Sequence, residues 1–193
     1  MRECLIIGKP NAGKTLFFLN FAQYLGLRHL WLAAGGPSLP LDRARRELVD
    51  DRPHRTLDLN RVVVRVPAGK GRKSTVLTDT AGLGDDINAD PAIRQAMART
   101  LRAIREAELI LHLVDVAALP GSVSAPGPVD REVAAFARHR GGYAVLANKM
   151  DLPEARDGLS RLGEVLPGEP VIPISARLGT GFPRVRAFVR RWL

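Results

Sequence analysis

The stretch CLIIGKPNAGKT at residues 4–15 decides the fold, because a short apolar run passes straight into a glycine-spaced loop ending in Lys-Thr. The spacing G-x-x-x-x-G-K-[ST] is met by Gly8, Gly13, Lys14 and Thr15. Glycines let backbone N–H groups turn inward around phosphate oxygens with no Cβ in the way. The helix that follows adds the partial positive charge of its first amides. Asn11, Ala12, Gly13, Lys14, Thr15 and Leu16 are therefore the candidate phosphate-wrapping residues. Lys14 is placed to reach the β- and γ-phosphates, and the Thr15 hydroxyl to ligate Mg2+.

Outward from this loop, short β-branched runs alternate with longer helical patterns, the signature of a parallel sheet covered by helices on both faces. The spacing predicts strands at 3–7, 57–66, 74–79, 109–115, 143–148 and 170–174, and helices at 14–26, 91–107, 129–139, 155–165 and 181–192. In the last helix Val185, Phe188, Val189 and Trp192 form one apolar stripe, with Arg184, Arg186, Arg190 and Arg191 largely off it. The run 57–66 is predicted to pair antiparallel with 74–79 across the turn PAGKGRK. Between the first helix and residue 56 lie about thirty residues, within which SLPLDRARRELV reads as a short helix with Ser38 as N-cap. A connection of that length inside one compact domain is usually functional or mobile.

Three further motifs follow in order. VLTDTAGLGDD at 76–86 ends a strand with Asp79, placed to hold a Mg2+-bound water, and puts the Gly82 N–H beside the γ-phosphate. AVLANKMDLP at 144–153 supplies the base reader: the Asp151 carboxylate accepts from guanine N1–H and the N2 amine, donors that adenine lacks at those positions. Asn148 would bond guanine N7 and brace the loop, while the Lys149 stem packs over the base. In ISARLGTG at 174–181, Ser175 supports the loop and the Ala176 N–H donates to guanine O6.

With these four motifs in place, the chain resembles the translation-factor-related class of P-loop GTPases, in particular Era-like domains and the cytoplasmic G domain of the bacterial ferrous-iron transporter. GKPNAGKT, DTAG, NKMD and SA carry the resemblance. It implies an α/β three-layer G domain with a six-stranded, mostly parallel sheet, one antiparallel strand and about five helices. It also implies Mg2+-dependent hydrolysis of GTP to GDP by a molecular switch. The expectation is a single G domain over 1–193 with an insertion at about 28–55 that takes in switch I, and with neither Era's RNA-binding domain nor the transporter's membrane domain.

Leu83 stands where many small GTPases carry a water-orienting glutamine, and a leucine cannot hydrogen-bond water. Asn11 is similar to the asparagine of family members that use K+, so slow, K+-stimulated turnover is expected. The second Mg2+ ligand is expected at Thr56, although it falls about forty residues beyond Lys14, further than the resemblance implies. Lys14, Asn11, Thr56 and Gly82 are thus the catalytic candidates; Thr15, Thr56 and Asp79 are the metal ligands. Arg52 and Arg55 are weaker candidates for an arginine finger in cis. The competing readings are a guanine-nucleotide-binding interaction module with little turnover, and an ATP-using P-loop kinase or ATPase, against which Asp151 argues.

The formal charge of +9 permits RNA or a ribosomal surface as partner, but 24 of the 29 basic residues are Arg, as a compositional bias would also produce. An acidic protein effector would suit the same charge. No apolar run has the length of a transmembrane segment, and a lone Cys4 suits a reducing compartment, so a soluble cytoplasmic protein is expected.

Overall fold

A computed structural model describes residues 1–30, 39–49, 59–68, 71–85, 89–118, 125–139 and 141–193. The chain runs β1 (Glu3–Gly8), α1 (Lys14–Tyr24), β2 (His29–Leu30), β3 (Leu39–Pro40), α2 (Leu41–Leu48), β4 (Asn60–Ala68) and β5 (Gly71–Asp79). It continues through α3 (Pro91–Glu106), β6 (Leu109–Asp115), α4 (Pro128–Arg138), β7 (Tyr143–Asn148), α5 (Ala155–Val165), β8 (Val171–Pro173) and α6 (Phe182–Arg191).

Six strands form one sheet in the order β4-β5-β1-β6-β7-β8, parallel except for β4 against β5. Side chains of a strand point alternately to its two faces, and the interior divides accordingly. Cys4, Ile6, Leu109, Leu111 and Leu146 join one core with Phe17 and Phe21 of α1, Leu41 and Ala44 of α2, and Val185 and Val189 of α6. Leu5, Ile7, Ile110, Val114 and Val145 join the other with Ala103 of α3, Ala134 of α4 and Leu162 of α5. The result is three layers, with helices on both faces. Of the α6 stripe, Val185 and Val189 are buried and Phe188 and Trp192 half-buried, while its arginines are exposed.

Local chemistry sets the helix starts. Asp90 caps α3 by accepting from Ala92 N–H at 2.8 Å, with Pro91 at the first helical position. The Asp130 carboxylate in the first turn of α4 reaches back to the Gly127 N–H at 2.7 Å.

The structure departs from expectation in two places. Six helices are present among the described residues, the sixth being α2, inside the stretch SLPLDRARRELV read as a short helix. Its N-cap position belongs to Pro40, because the Leu41 N–H is already taken by the Arg28 carbonyl and Pro40 sits in extended backbone. Ser38 lies outside the described residues. Finally, most of PAGKGRK is strand: Pro67 pairs with Arg72 and Ala68 with Gly71. Proline is tolerated there because β4 is the sheet edge.

Candidate functional site

The four motifs end β1, β5, β7 and β8 on the same side of the sheet, at the carboxyl edge where open α/β sheets bind ligands. β1 lies between β5 and β6, the point where successive connections diverge to opposite sides.

The phosphate loop is shaped by its backbone. Gly13 adopts φ +91, and a Cβ there would stand 2.5 Å from Asn148 Nδ2. Gly8 lies so close to β6 that a Cβ would meet the Leu113 carbonyl oxygen at 2.2 Å. Asn11 is left-handed at φ 61, a conformation asparagine tolerates better than most residues, and its side chain is exposed at the loop's rim. Gly82 packs against the loop, since a Cβ would be 2.7 Å from Pro10 N. Leu83 turns away: its N–H donates to the Gly8 carbonyl, and its side chain is buried in the second core.

Lys14 Nζ is buried and donates to the Lys9 carbonyl at 2.8 Å. Burial pulls its pKa down to about 8 against the opposing attraction of Asp79 and Asp130. Asp79 is fully buried at the end of β5, and desolvation pushes it up to about 6, opposed by Lys14 and a hydrogen bond from Thr15. Thr15 Oγ1 donates to Asp79 Oδ2 at 2.8 Å, whereas Asp79 Oδ1 makes no hydrogen bond among the described residues. A buried carboxylate oxygen without a donor, beside a hydroxyl and a phosphate cradle, fits a hard oxygen-seeking cation such as Mg2+, which takes few protein ligands alongside phosphate.

A raised acid stabilises the folded state below its unfolded value of 3.8, and that contribution is lost as pH rises through about 6. Asp79→Asn should therefore make the nucleotide-free protein more resistant to urea at pH 7.5. The difference should fade at pH 5, where the wild-type carboxyl is itself protonated. Urea midpoints that differ equally at both pH values would count against the assignment.

At the far end of the site, the Asn148 side chain spans two motifs. Its Nδ2 donates to the Ala12 carbonyl at 2.8 Å and its Oδ1 accepts from Ala176 N–H at 2.9 Å. The brace expected of Asn148 is present. The Ala176 N–H, expected to face guanine O6, instead donates to Asn148, because the two motifs end neighbouring strands. Ser175 Oγ donates to Asp151 Oδ1 at 2.6 Å, holding the carboxylate in orientation, as its supporting role required. Lys149, left-handed at φ 70, lays its ammonium on Asp115 at 2.6 Å.

Sequence reasoning missed several residues here. Asp115, at the end of β6, anchors Lys149. Lys9 is only 4 % exposed and forms an ion pair with Asp85, while Asp130 Oδ2 lies at 3.7 Å. Asp85 Oδ1 also accepts from the Val129 N–H at the start of α4. Asp130 Oδ1 meets His112 Nε2 at 2.9 Å, and His112 Nδ1 meets the Tyr143 hydroxyl at 2.8 Å, all of it buried. The one available signal was His112 interrupting the apolar run LILHLV. Thr56, Arg52 and Arg55 lie outside the described residues.

Residues 3–149 match the family of 50S ribosome-binding GTPases, and the chain belongs to that family. Membership assigns it a GTPase domain at family level. It is 37 % identical over 189 residues to the tRNA modification GTPase MnmE of Symbiobacterium thermophilum, covering 98 % of this chain and 34 % of that protein. It is 31 % identical over 185 residues to the GTPase Obg of Desulforudis audaxviator, covering 93 % and 37 %. The chain thus spans about a third of the length of these curated relatives. In fold it is similar to a variant of Aquifex aeolicus Era bound to GDP and AlF4−, with TM-score 0.67 and 19 % identity over all of this chain and 57 % of that one.

Proposed function

We propose that the chain is a Mg2+-dependent GTPase acting as a molecular switch, in which the phosphate loop holds the triphosphate and Asp151 reads guanine. The observation that carries this reading is the Asn148 carboxamide, which ties the phosphate loop to the base loop and makes them one site. Thr15 and Asp79 are the residues to hold Mg2+, which neutralises charge on the β- and γ-phosphate oxygens when bound. Lys14 exchanges the Lys9 carbonyl for phosphate oxygens, and the N–H groups of Asn11, Ala12, Gly13, Lys14, Thr15 and Leu16 face the phosphates.

In hydrolysis, a water oxygen bonds to the γ-phosphorus as the bond to the β–γ bridging oxygen breaks. The water's protons leave with inorganic phosphate and solvent. Gly82 is suited to receive the γ-phosphate on its N–H because it packs directly on the loop. With Leu83 in the core, no side chain at that position orients the water, so intrinsic turnover should be slow. We assign Asn11 to a K+ ion beside the phosphates and Thr56 to the switch, where it would complete the Mg2+ ligands.

Phosphate release should be faster in K+ than in Na+ buffer, require GTP over ATP, and lose its cation preference in Asn11→Ala. Equal rates in the two salts would remove the K+ role. Undiminished hydrolysis of ATP would overturn the guanine assignment. Thr56→Ala should slow turnover while sparing GDP affinity.

We read residues 1–193 as one G domain with the 28–55 segment inserted. Among the described residues no helix is long and apolar enough to cross a membrane, and the buried Cys4 thiol suits the cytoplasm. For a macromolecular partner we favour ribosomal RNA. The net charge of +9, the exposed arginines of α6 and the likeness to an Era structure solved with a 16S ribosomal RNA fragment support it. Binding to such a fragment should weaken steeply with salt. No binding at low salt would leave a protein effector as the partner.

A further inference from the structure

The segment between α1 and β4 has a direct line to the base loop. Helix α2 is anchored by Leu41 and Ala44 in the first core. From it, Arg45 spreads its guanidinium across α1: Nε donates to Asn20 Oδ1 at 2.9 Å and Nη2 to Gln23 Oε1 at 2.7 Å, while Nη1 is held by Asp42 at 3.0 Å. With its oxygen engaged by Arg45, Asn20 turns its amide the other way, and Nδ2 donates to the Ala176 carbonyl at 2.7 Å. The Ala176 N–H is held by Asn148, so hydrogen bonds fix this residue at both its N–H and its carbonyl. A cation on the oxygen of a carboxamide polarises its N–H groups and strengthens what they donate to.

We propose that Arg45 is a positioning residue for guanine nucleotide: α2, through Asn20, fixes Ala176 and its neighbour Ser175, which in turn orients Asp151. The inserted segment thereby sets how long the nucleotide stays bound. This rests on the guanine reading of Asp151. It adds that residues 41–48, which contribute no group to the phosphate loop, control the base end of the site.

The test is release of fluorescently labelled GDP by stopped flow, with turnover at saturating GTP and thermal unfolding measured alongside. Arg45→Ala should release GDP about five- to tenfold faster, the worth of one polarised hydrogen bond, while turnover at saturating GTP changes less than twofold. Asn20→Asp retains and strengthens the contact to Arg45 but removes the donor to the Ala176 carbonyl. It should release GDP at least as fast as Arg45→Ala. A merely structural role for Asn20 predicts a lowered unfolding temperature with GDP release at the wild-type rate. Arg43→Ala, which removes an exposed ion pair to Glu47 on the same helix, should leave release unchanged. Combining Arg45→Ala with Asn20→Ala should cost no more than Asn20→Ala alone.

Wild-type release rates in Asn20→Asp and Arg45→Ala, from a protein that retains GDP longer than ADP, would overturn the coupling and leave the guanine reading standing. A wild-type protein that retains ADP as long as GDP would overturn both. If Arg45→Ala unfolds, Asn20→Asp decides alone, because it keeps the arginine in place.

Discussion

Asp151→Asn is expected to weaken GDP binding at least about a hundredfold without unfolding the protein. Ser175 already donates to one carboxylate oxygen, which fixes the plane of the group. Guanine offers two donors on the edge this carboxylate would face, N1–H and the N2 amine. An asparagine presents one acceptor and one donor, so one pair becomes donor against donor in a partly enclosed site. Xanthine carries a carbonyl at C2 where guanine has the amine, and should gain affinity where guanine loses it. Equilibrium titration with labelled GDP, competed by xanthosine diphosphate, reads both effects. Unchanged GDP affinity would mean that this side chain does not read the base.

The second large effect is on stability. Gly158 lies inside α5, where a Cβ would stand 1.5 Å from the Val116 carbonyl oxygen and 2.6 Å from its carbon. Neither atom belongs to a flexible side chain, so the helix or the end of β6 must move. Alanine favours a helix over glycine by about 1 kcal/mol, which the clash overrides. Gly158→Ala should lose about 2–4 kcal/mol, lowering the melting temperature by roughly 5–15 °C. The Val116 N–H donates to the Asn148 carbonyl, so the displacement also reaches the NKMD turn and GDP should bind more weakly. A melting temperature within 2 °C of wild type would show that α5 accommodates the methyl group.

What the sequence made legible was whatever repeats locally. The order of the six sheet strands along the chain followed from period, although the β4–β5 hairpin is shifted from the expected 57–66 and 74–79. The candidates Gly13, Lys14, Thr15, Asp79, Asn148, Asp151 and Ser175 were picked out by spacing because each motif is a turn between one strand and what comes after it. Pairings across the chain left no such trace. Asn20 and Ala176 are 156 residues apart, and Lys9 and Asp85 are 76 apart. Both read as loop residues until the fold buries the Lys9 ammonium against the more exposed Asp85. The ribbon of β2 and β3 has two residues per strand, too short for any alternation. The start of α2 was misplaced because Ser38 has the chemistry of a cap, whereas a backbone carbonyl, Arg28, supplied the acceptor instead. Ala176 shows the same limit at the site itself. Its position was readable, but the partner of its N–H depended on how β7 and β8 lie side by side.

The Asp85 carboxylate fastens three stretches of chain at one point: its own loop, the phosphate loop through Lys9, and the first turn of α4 through Val129. Without the Asp85 carboxylate, the enclosed Lys9 ammonium would keep, among the described residues, the more distant Asp130 as its anionic neighbour. One charged group thus ties the loop after β5, the phosphate loop and the first turn of α4, so Asp85→Ala loosens all three together.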